Sequence, residues 1–228
     1  MERVMEIWTE LDSVVTAHGD RIVLRRRGGL FDIRFNGWEL MSNHDPRSEI
    51  VLAETVCRRL GTQAPRILIG GLGMGYTLRA TLDGVGSQAH ILVCELLPEI
   101  VAWNRGVLAP LAGHPLADGR VTVRTGSVAE IIAAEPAGFD AILLDTDNGP
   151  DYVVHEPNHA LYSGEGIDRI ARALAPGGVA GLWSATRSAA FEASLTASAL
   201  PWRCERISLG EPGQEPFHMV YLIGSPAR

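Results

Sequence analysis

The sequence predicts an α/β protein: a seven-stranded, mostly parallel Rossmann-like sheet preceded by a small antiparallel one. Three observations predict it. From Pro65 onward, short apolar runs alternate with helical stretches. The first of those runs leads straight into a glycine loop, Gly70-Gly71-Leu72-Gly73-Met74-Gly75. Between residues 21 and 42 the texture is different, with alternating apolar residues punctuated by Gly28-Gly29 and Asn36-Gly37. Strands alternating with helices imply crossover connections and a parallel sheet covered on both faces. Short alternating runs joined by Asn-Gly imply hairpins.

Taken in order, Val4, Ile7, Trp8, Leu11, Val14 and Val15 have helical spacing and predict a helix over residues 2–17, ended by His18-Gly19-Asp20. Ile22 and Leu24, then Phe31, Ile33 and Phe35, alternate with polar residues as strands do. Arg25-Arg26-Arg27 reads as an exposed sheet edge, where charge discourages strand addition. Asp45 or Ser48 caps a helix over 49–60 that stops at Gly61. A boundary near residues 61–65 gives two regions, 1–62 and 63–228. In the second, strands fall at 66–69, 90–94, 121–124, 141–144 and 179–183, and helices at 76–82, 98–108, 128–134 and 166–174. Runs at 204–209 and 218–223, separated by a Gly/Pro loop, close the chain as a hairpin.

Composition excludes several classes. The net charge of -7, from 20 basic and 27 acidic residues, repels a phosphate backbone and argues against nucleic acid as the main partner. Cys57, Cys94 and Cys204 are odd in number and far apart, without a CxxC pair. They suggest neither a disulfide framework nor a zinc site, and no metal is expected. Acids interrupt the apolar residues at the start, so no secretory signal is read there, and no run approaches a membrane span. The expectation is a cytoplasmic protein.

The glycine loop is the leading chemical signal. Gly71, Gly73 and Gly75 permit positive φ and close ligand approach, and a helix N-terminus follows with unpaired N–H groups. The next strand ends at Glu95, placed to accept hydrogen bonds from two ribose hydroxyls, with Leu96 beside it. Tyr76 replaces the third glycine of a dinucleotide fingerprint, which favours S-adenosylmethionine, a nucleoside without a phosphate. Gly126-Ser127 falls where an adenine-binding loop belongs, though Ser127 also reads as a helix N-cap. The run FDAILLD ends in Asp145, followed by Asp147 and Asn148. Carboxylates at the carboxyl end of a strand can orient an amine or take its proton. Asp147-Asn148-Gly149-Pro150 is also explained as a plain turn. In the stretch from Tyr152 to Tyr162, the groups His155, Glu156, His159 and Tyr162 form a lid, a substrate wall or a solvated loop; their spacing matches no tight metal-binding pattern. Trp183 ends a sheet strand and can border the pocket.

These motifs resemble the spermidine synthase family of polyamine aminopropyltransferases, within the larger S-adenosylmethionine methyltransferase fold group. The likeness runs from about Gly37 to Trp183. ILIGGLGMGYTLRATL is similar to the family's glycine loop and helix, and CELLPEIVAWNR to its second strand with the ribose-binding acid, here Glu95. FDAILLDTDNGP is similar to the strand bearing the catalytic aspartate, here Asp145. The small N-terminal sheet also matches. Met74 stands where the family usually has an acid, Ser127 replaces the aspartate after the third strand, and Asn148 replaces the second aspartate of Asp-x-x-Asp. Arg47-Ser48-Glu49 aligns with Tyr-His-Glu.

The resemblance implies a class I methyltransferase fold, a homodimer, and a transferase with catalytic residues Asp145, Asp147 and Asn148. It implies nucleoside binding by Gly71, Gly73, Gly75, Glu95, Leu96, Gly126, Ser127 and Asp145, and acceptor binding by Glu49, Tyr152 and Tyr162. The leading expectation is methyl transfer from S-adenosylmethionine to a small-molecule acceptor. The alternatives are aminopropyl transfer from decarboxylated S-adenosylmethionine to an amine, intramolecular displacement within S-adenosylmethionine, and a nucleoside-binding module without turnover.

Overall fold

The computed structural model describes residues 6–16, 19–153, 156–210 and 216–224. The chain divides into two compact units, residues 1–46 and 47–228. The division falls earlier than the sequence suggests because the helix α1 (Arg47–Cys57) packs on the strands of the larger unit.

The smaller unit is a four-stranded antiparallel sheet: β1 (Thr9–Val15), β2 (Arg21–Arg27), β3 (Leu30–Phe35) and β4 (Trp38–Ser42), in that spatial order. Asn36 and Gly37 both take positive φ, 49° and 85°, as a tight hairpin turn requires. Ile22, Leu24 and Ile33 are fully buried. Two sequence expectations are corrected here. The segment read as a helix over 2–17 is a strand where it is described, paired to β2 from Thr9↔Arg26 to Val15↔Arg21. Thr9, Val14 and Val15 are β-branched and suit a pleated surface, and pairing satisfies the backbone that helical periodicity alone does not stabilise. Arg25-Arg26-Arg27 is no edge either, since β2 lies between β1 and β3. Arg25 and Arg27 both stack on the Trp8 ring at 4.8 Å. Arg25 and Arg34 converge on the buried Asp32. Burial alone would raise the Asp32 pKa, but hydrogen bonds from the two guanidinium groups outweigh it and hold the carboxyl below its ordinary value.

The larger unit is a seven-stranded sheet in the order β10-β11-β9-β8-β5-β6-β7. The strands β5 (Arg66–Gly70), β6 (His90–Glu95), β7 (Val121–Thr125), β8 (Phe139–Leu144) and β9 (Leu174–Ser184) are parallel. β10 (Trp202–Ser208) and β11 (Phe217–Gly224) form the terminal hairpin, with β11 antiparallel to β9. Helices α1 and α2 (Tyr76–Gly84) cover one face, with α3 (Pro98–Arg105) beside the glycine loop. Helices α4 (Val128–Ala134), α5 (Gly164–Ala173) and α6 (Ala189–Ala197) share a core with the other face through Ile131, Ile170, Phe191, Leu144 and Leu182. Helix α6 is absent from the sequence reading; its start is fixed by Ser188, whose hydroxyl accepts the Phe191 N–H.

β5 pairs with β6 on one side and β8 on the other, so the strand order reverses there. Ligands of open α/β sheets bind outside the carboxyl ends of the strands at such a switch point. The loops leaving β5 and β8 are those that carry the glycines and Asp145.

Candidate functional site

One row of groups runs along the carboxyl edge of the sheet. Strand residues alternate between faces. Leu144, Leu182 and Met219 belong to the core beneath α4–α6. Their neighbours Asp145, Trp183 and His218 therefore turn to the α1–α2 face, where Asp145 meets Thr77 and His218 meets Ser48. Across the strands the row reads Glu95, the glycine loop, Asp145, Trp183, His218.

At one end, Glu95 is 5% exposed and accepts the backbone N–H groups of Leu72 at 2.8 Å and Leu97 at 3.0 Å. Burial raises its pKa, opposed by hydrogen bonds from the N–H groups of Leu97, Leu72, Leu96 and Gly73. The carboxylate therefore holds the glycine loop, a task the sequence reading did not assign to it. Asn104 of α3 holds the same loop from outside, its amide donating to Gly73 O at 2.8 Å and Ile100 O at 2.9 Å. Sequence offered no signal for that, because a helical asparagine has many uses. Gly71 is the position that permits no side chain: its φ is +88°, and a Cβ would lie 2.0 Å from the Asp145 carbonyl oxygen. Leu96 is 37% exposed beside Glu95. Gly126 opens onto free space. Ser127 sits at the N-cap of α4, yet its side chain makes no cap hydrogen bond. The capping explanation for this serine is thereby corrected.

In the middle stands Asp145, partly accessible, its carboxyl accepting the Thr77 hydroxyl at 2.7 Å. Desolvation pushes its pKa up to about 6, with the Thr77 bond working the other way. Asp147 is buried and accepts the Asn158 amide at 2.8 Å. The carbonyl of Asn148 accepts the Ala185 N–H, which ties this loop to the exit of β9. Gly149, at φ +105°, lies against Ser184 so closely that a Cβ would fall 2.1 Å from its hydroxyl. Tyr162 is buried, 3.4 Å from the Thr146 hydroxyl, and burial together with the Asp147 and Asp145 charges pushes its pKa up. Tyr152 is 60% exposed on the turn, and His159 is exposed. His155 and the Glu156 side chain lie outside the described residues.

The far end was missed by sequence reasoning except for Glu49 and Trp183. Glu49 is buried and accepts the Ser48 hydroxyl at 2.5 Å, while Ser48 Oγ lies 2.8 Å from His218 Nδ1. The His218 ring meets Trp183 edge to face at 4.7 Å. Glu49 also raises the Tyr76 pKa, after the larger effect of burial. Arg47, aligned with the family's tyrosine, donates to the Leu209 carbonyl. Among the described residues no cluster of His, Cys, Asp and Glu could hold a metal.

Solved structures share this architecture. A spermidine synthase from Thermotoga maritima superposes with a TM-score of 0.76 at 16% identity, over 100% of this chain and 84% of the other. A spermidine synthase in complex with the transition-state analogue AdoDATO gives the same values. A probable spermidine synthase from Corynebacterium glutamicum gives 0.62 at 16% identity, over 96% and 80%. The chain has the fold of the spermidine synthases. No family model matches it, and no curated protein does. The expected α/β class with its small antiparallel sheet is thus observed, and so is the expected resemblance to that family.

Proposed function

We propose that this protein transfers an alkyl group from a sulfonium nucleoside to a small-molecule amine, with aminopropyl transfer as the first reading. The carrying observation is Asp145: a carboxyl beside the glycine loop, bonded to Thr77, its pKa pushed up to about 6 by desolvation, and two strands from the His218–Ser48–Glu49 cluster. A group with that pKa is ionised at neutral pH and basic enough to assist an amine. The resemblance to spermidine synthases supports aminopropyl over methyl transfer, which was the leading expectation from sequence.

The nucleoside lies over Gly71, Gly73 and Gly75. Glu95 and Leu96 border its ribose, and Gly126 and Ser127 its adenine. The acceptor amine is drawn by Asp145 and Asp147, with Glu49, Tyr152 and Tyr162 as further contacts and Asn148 fixing the loop. The amine nitrogen attacks the carbon bonded to sulfur, forming C–N as C–S breaks. The electron pair of C–S stays on sulfur, which leaves as the thioether methylthioadenosine. Asp145 takes the amine proton. Sulfonium sulfur is already a good leaving group, so holding the nucleophile in line contributes most, up to roughly 7–11 kcal/mol.

Methyl transfer is the second reading, favoured by Met74. It is fully buried in the loop and gives a donor tail no carboxylate to pair with an aminopropyl ammonium. Product analysis separates the two: methylthioadenosine from the decarboxylated donor, S-adenosylhomocysteine from S-adenosylmethionine. A homodimer is proposed by analogy with the family; Ile7 and Val15, 74% and 64% exposed, and Trp38, 81% exposed, are apolar surface for it. Light scattering showing only monomer would remove that proposal. Among the described residues no helix is long and apolar enough to cross a membrane.

A further inference from the structure

The far end of the row contains a buried donor with no acceptor among the described residues. Trp183 is 9% exposed, and its indole Nε1 is buried with no hydrogen-bond partner among the described residues. An indole N–H is a donor only, and leaving one buried and unsatisfied is costly enough that such groups are uncommon. Trp183 lies in register with Val220 on β11 and next to β8, on the same sheet face as Asp145. It is therefore one strand from Asp145, and His218 is two strands away, about 5 and 10 Å at ordinary strand spacing.

The groups beside it are ordered by their protons. The Ser48 hydroxyl donates to Glu49, so its oxygen accepts from His218 Nδ1–H. This fixes a relay from imidazole to hydroxyl to carboxylate, with the imidazole and the Trp183 ring packed edge to face. A second ammonium at this end has no lone pair for the indole N–H. A carboxylate has one, but brings another negative charge to an edge that already holds Asp145, Asp147 and Glu49. A hydroxyl accepts from the indole and donates onward to a carboxylate.

We propose that Trp183, His218 and Ser48 form the far wall of the acceptor subsite, and that the acceptor is an amino alcohol whose hydroxyl takes the Trp183 indole N–H. The proposal rests on the transferase reading for the acceptor's amine, and deepens it by naming the group at the other end.

The test uses three probes of equal chain length: 4-amino-1-butanol, 1,4-diaminobutane and 4-aminobutanoate. Each is titrated by calorimetry into the full chain, with and without methylthioadenosine, and into Trp183→Phe, whose melting curve checks its fold. The amino alcohol is expected to bind about tenfold tighter than the other two, the loss expected from an unmet buried donor. Trp183→Phe removes that preference, weakening the amino alcohol about tenfold more than it weakens the other two probes. In the ¹⁵N-tryptophan-labelled wild type, the indole resonance missing from the variant moves when the amino alcohol is added. The diamine binding tightest, the variant weakening all three alike, or a resonance that stays still overturns the proposal. The nucleoside titration separates this from the reading beneath it. A moving resonance without methylthioadenosine binding sinks the transferase and keeps the subsite, while nucleoside binding with a still resonance does the reverse.

Discussion

The two ends of the sheet edge are built differently. The end proposed for the nucleoside is held through backbone groups: Glu95 grips N–H groups of the loop, Asn104 grips the Gly73 carbonyl, and Gly71 lets Asp145 O approach where no Cβ fits. The end proposed for the acceptor is held by side chains, from Thr77 and Asp145 to the His218–Ser48–Glu49 relay. Backbone contacts survive most substitutions, whereas a side-chain wall changes with each one. The glycines and the acid match the resembled family, while the departures fall at both ends: Met74 and Ser127 beside the proposed nucleoside site, Arg47 and Asn148 toward the proposed acceptor site.

Substitutions break this comparison in order of size. Gly71→Ala adds a Cβ 2.0 Å from the Asp145 carbonyl oxygen at a φ of +88°, and should cost about 3 kcal/mol or more of stability and disable both ends, read by thermal melting. Asp145→Asn should lower turnover by about 10²–10⁴-fold with nucleoside affinity nearly unchanged; equal losses in both would make Asp145 a binding residue. Its pKa of about 6 lies above the ordinary 3.8. The charged form is therefore disfavoured in the fold, so its contribution to stability falls as pH rises from about 4 through about 6. The asparagine variant should be more stable than wild type at pH 8, by up to about 3 kcal/mol, and no different at pH 3.

Glu95→Ala should weaken nucleoside binding by about ten- to a hundredfold and also lower the melting temperature, because the Leu72 and Leu97 N–H groups lose their acceptor. An unchanged melting temperature would deny it the loop-holding role. The smallest effect sharpens the acceptor end. Wild-type activity should rise with pH through about 6 as Asp145 ionises. Thr77→Val removes the hydroxyl that stabilises the ionised form, and should move that limb up by about one pH unit. A limb that does not move would mean that another group titrates there.

The larger unit was legible in the sequence because its strands are fully buried and read as short apolar runs between glycine signals; β5, β6 and β8 fall within a few residues of expectation. The β1 segment was not, since an exposed strand with Leu11 and Val15 on its surface shows no alternation, and its pairing to β2 decides. The glycine loop and its partner Glu95 were legible because glycines and an acid at successive strand ends have few other reasons to coincide. Thr77, Ser48 and His218 were not, since their meaning depends on contacts as distant as 170 residues in sequence. Trp183 was visible only as a strand-end residue; that its N–H meets no acceptor among the described residues is a fact of packing alone.

The most direct measurement incubates the protein with decarboxylated S-adenosylmethionine and an amine acceptor, either 1,4-diaminobutane or 4-amino-1-butanol, and follows methylthioadenosine by chromatography. The account predicts amine-dependent release in wild type and its near loss in Asp145→Asn. No release with either amine, alongside S-adenosylhomocysteine formed from S-adenosylmethionine, would contradict it and make methyl transfer the function of this edge.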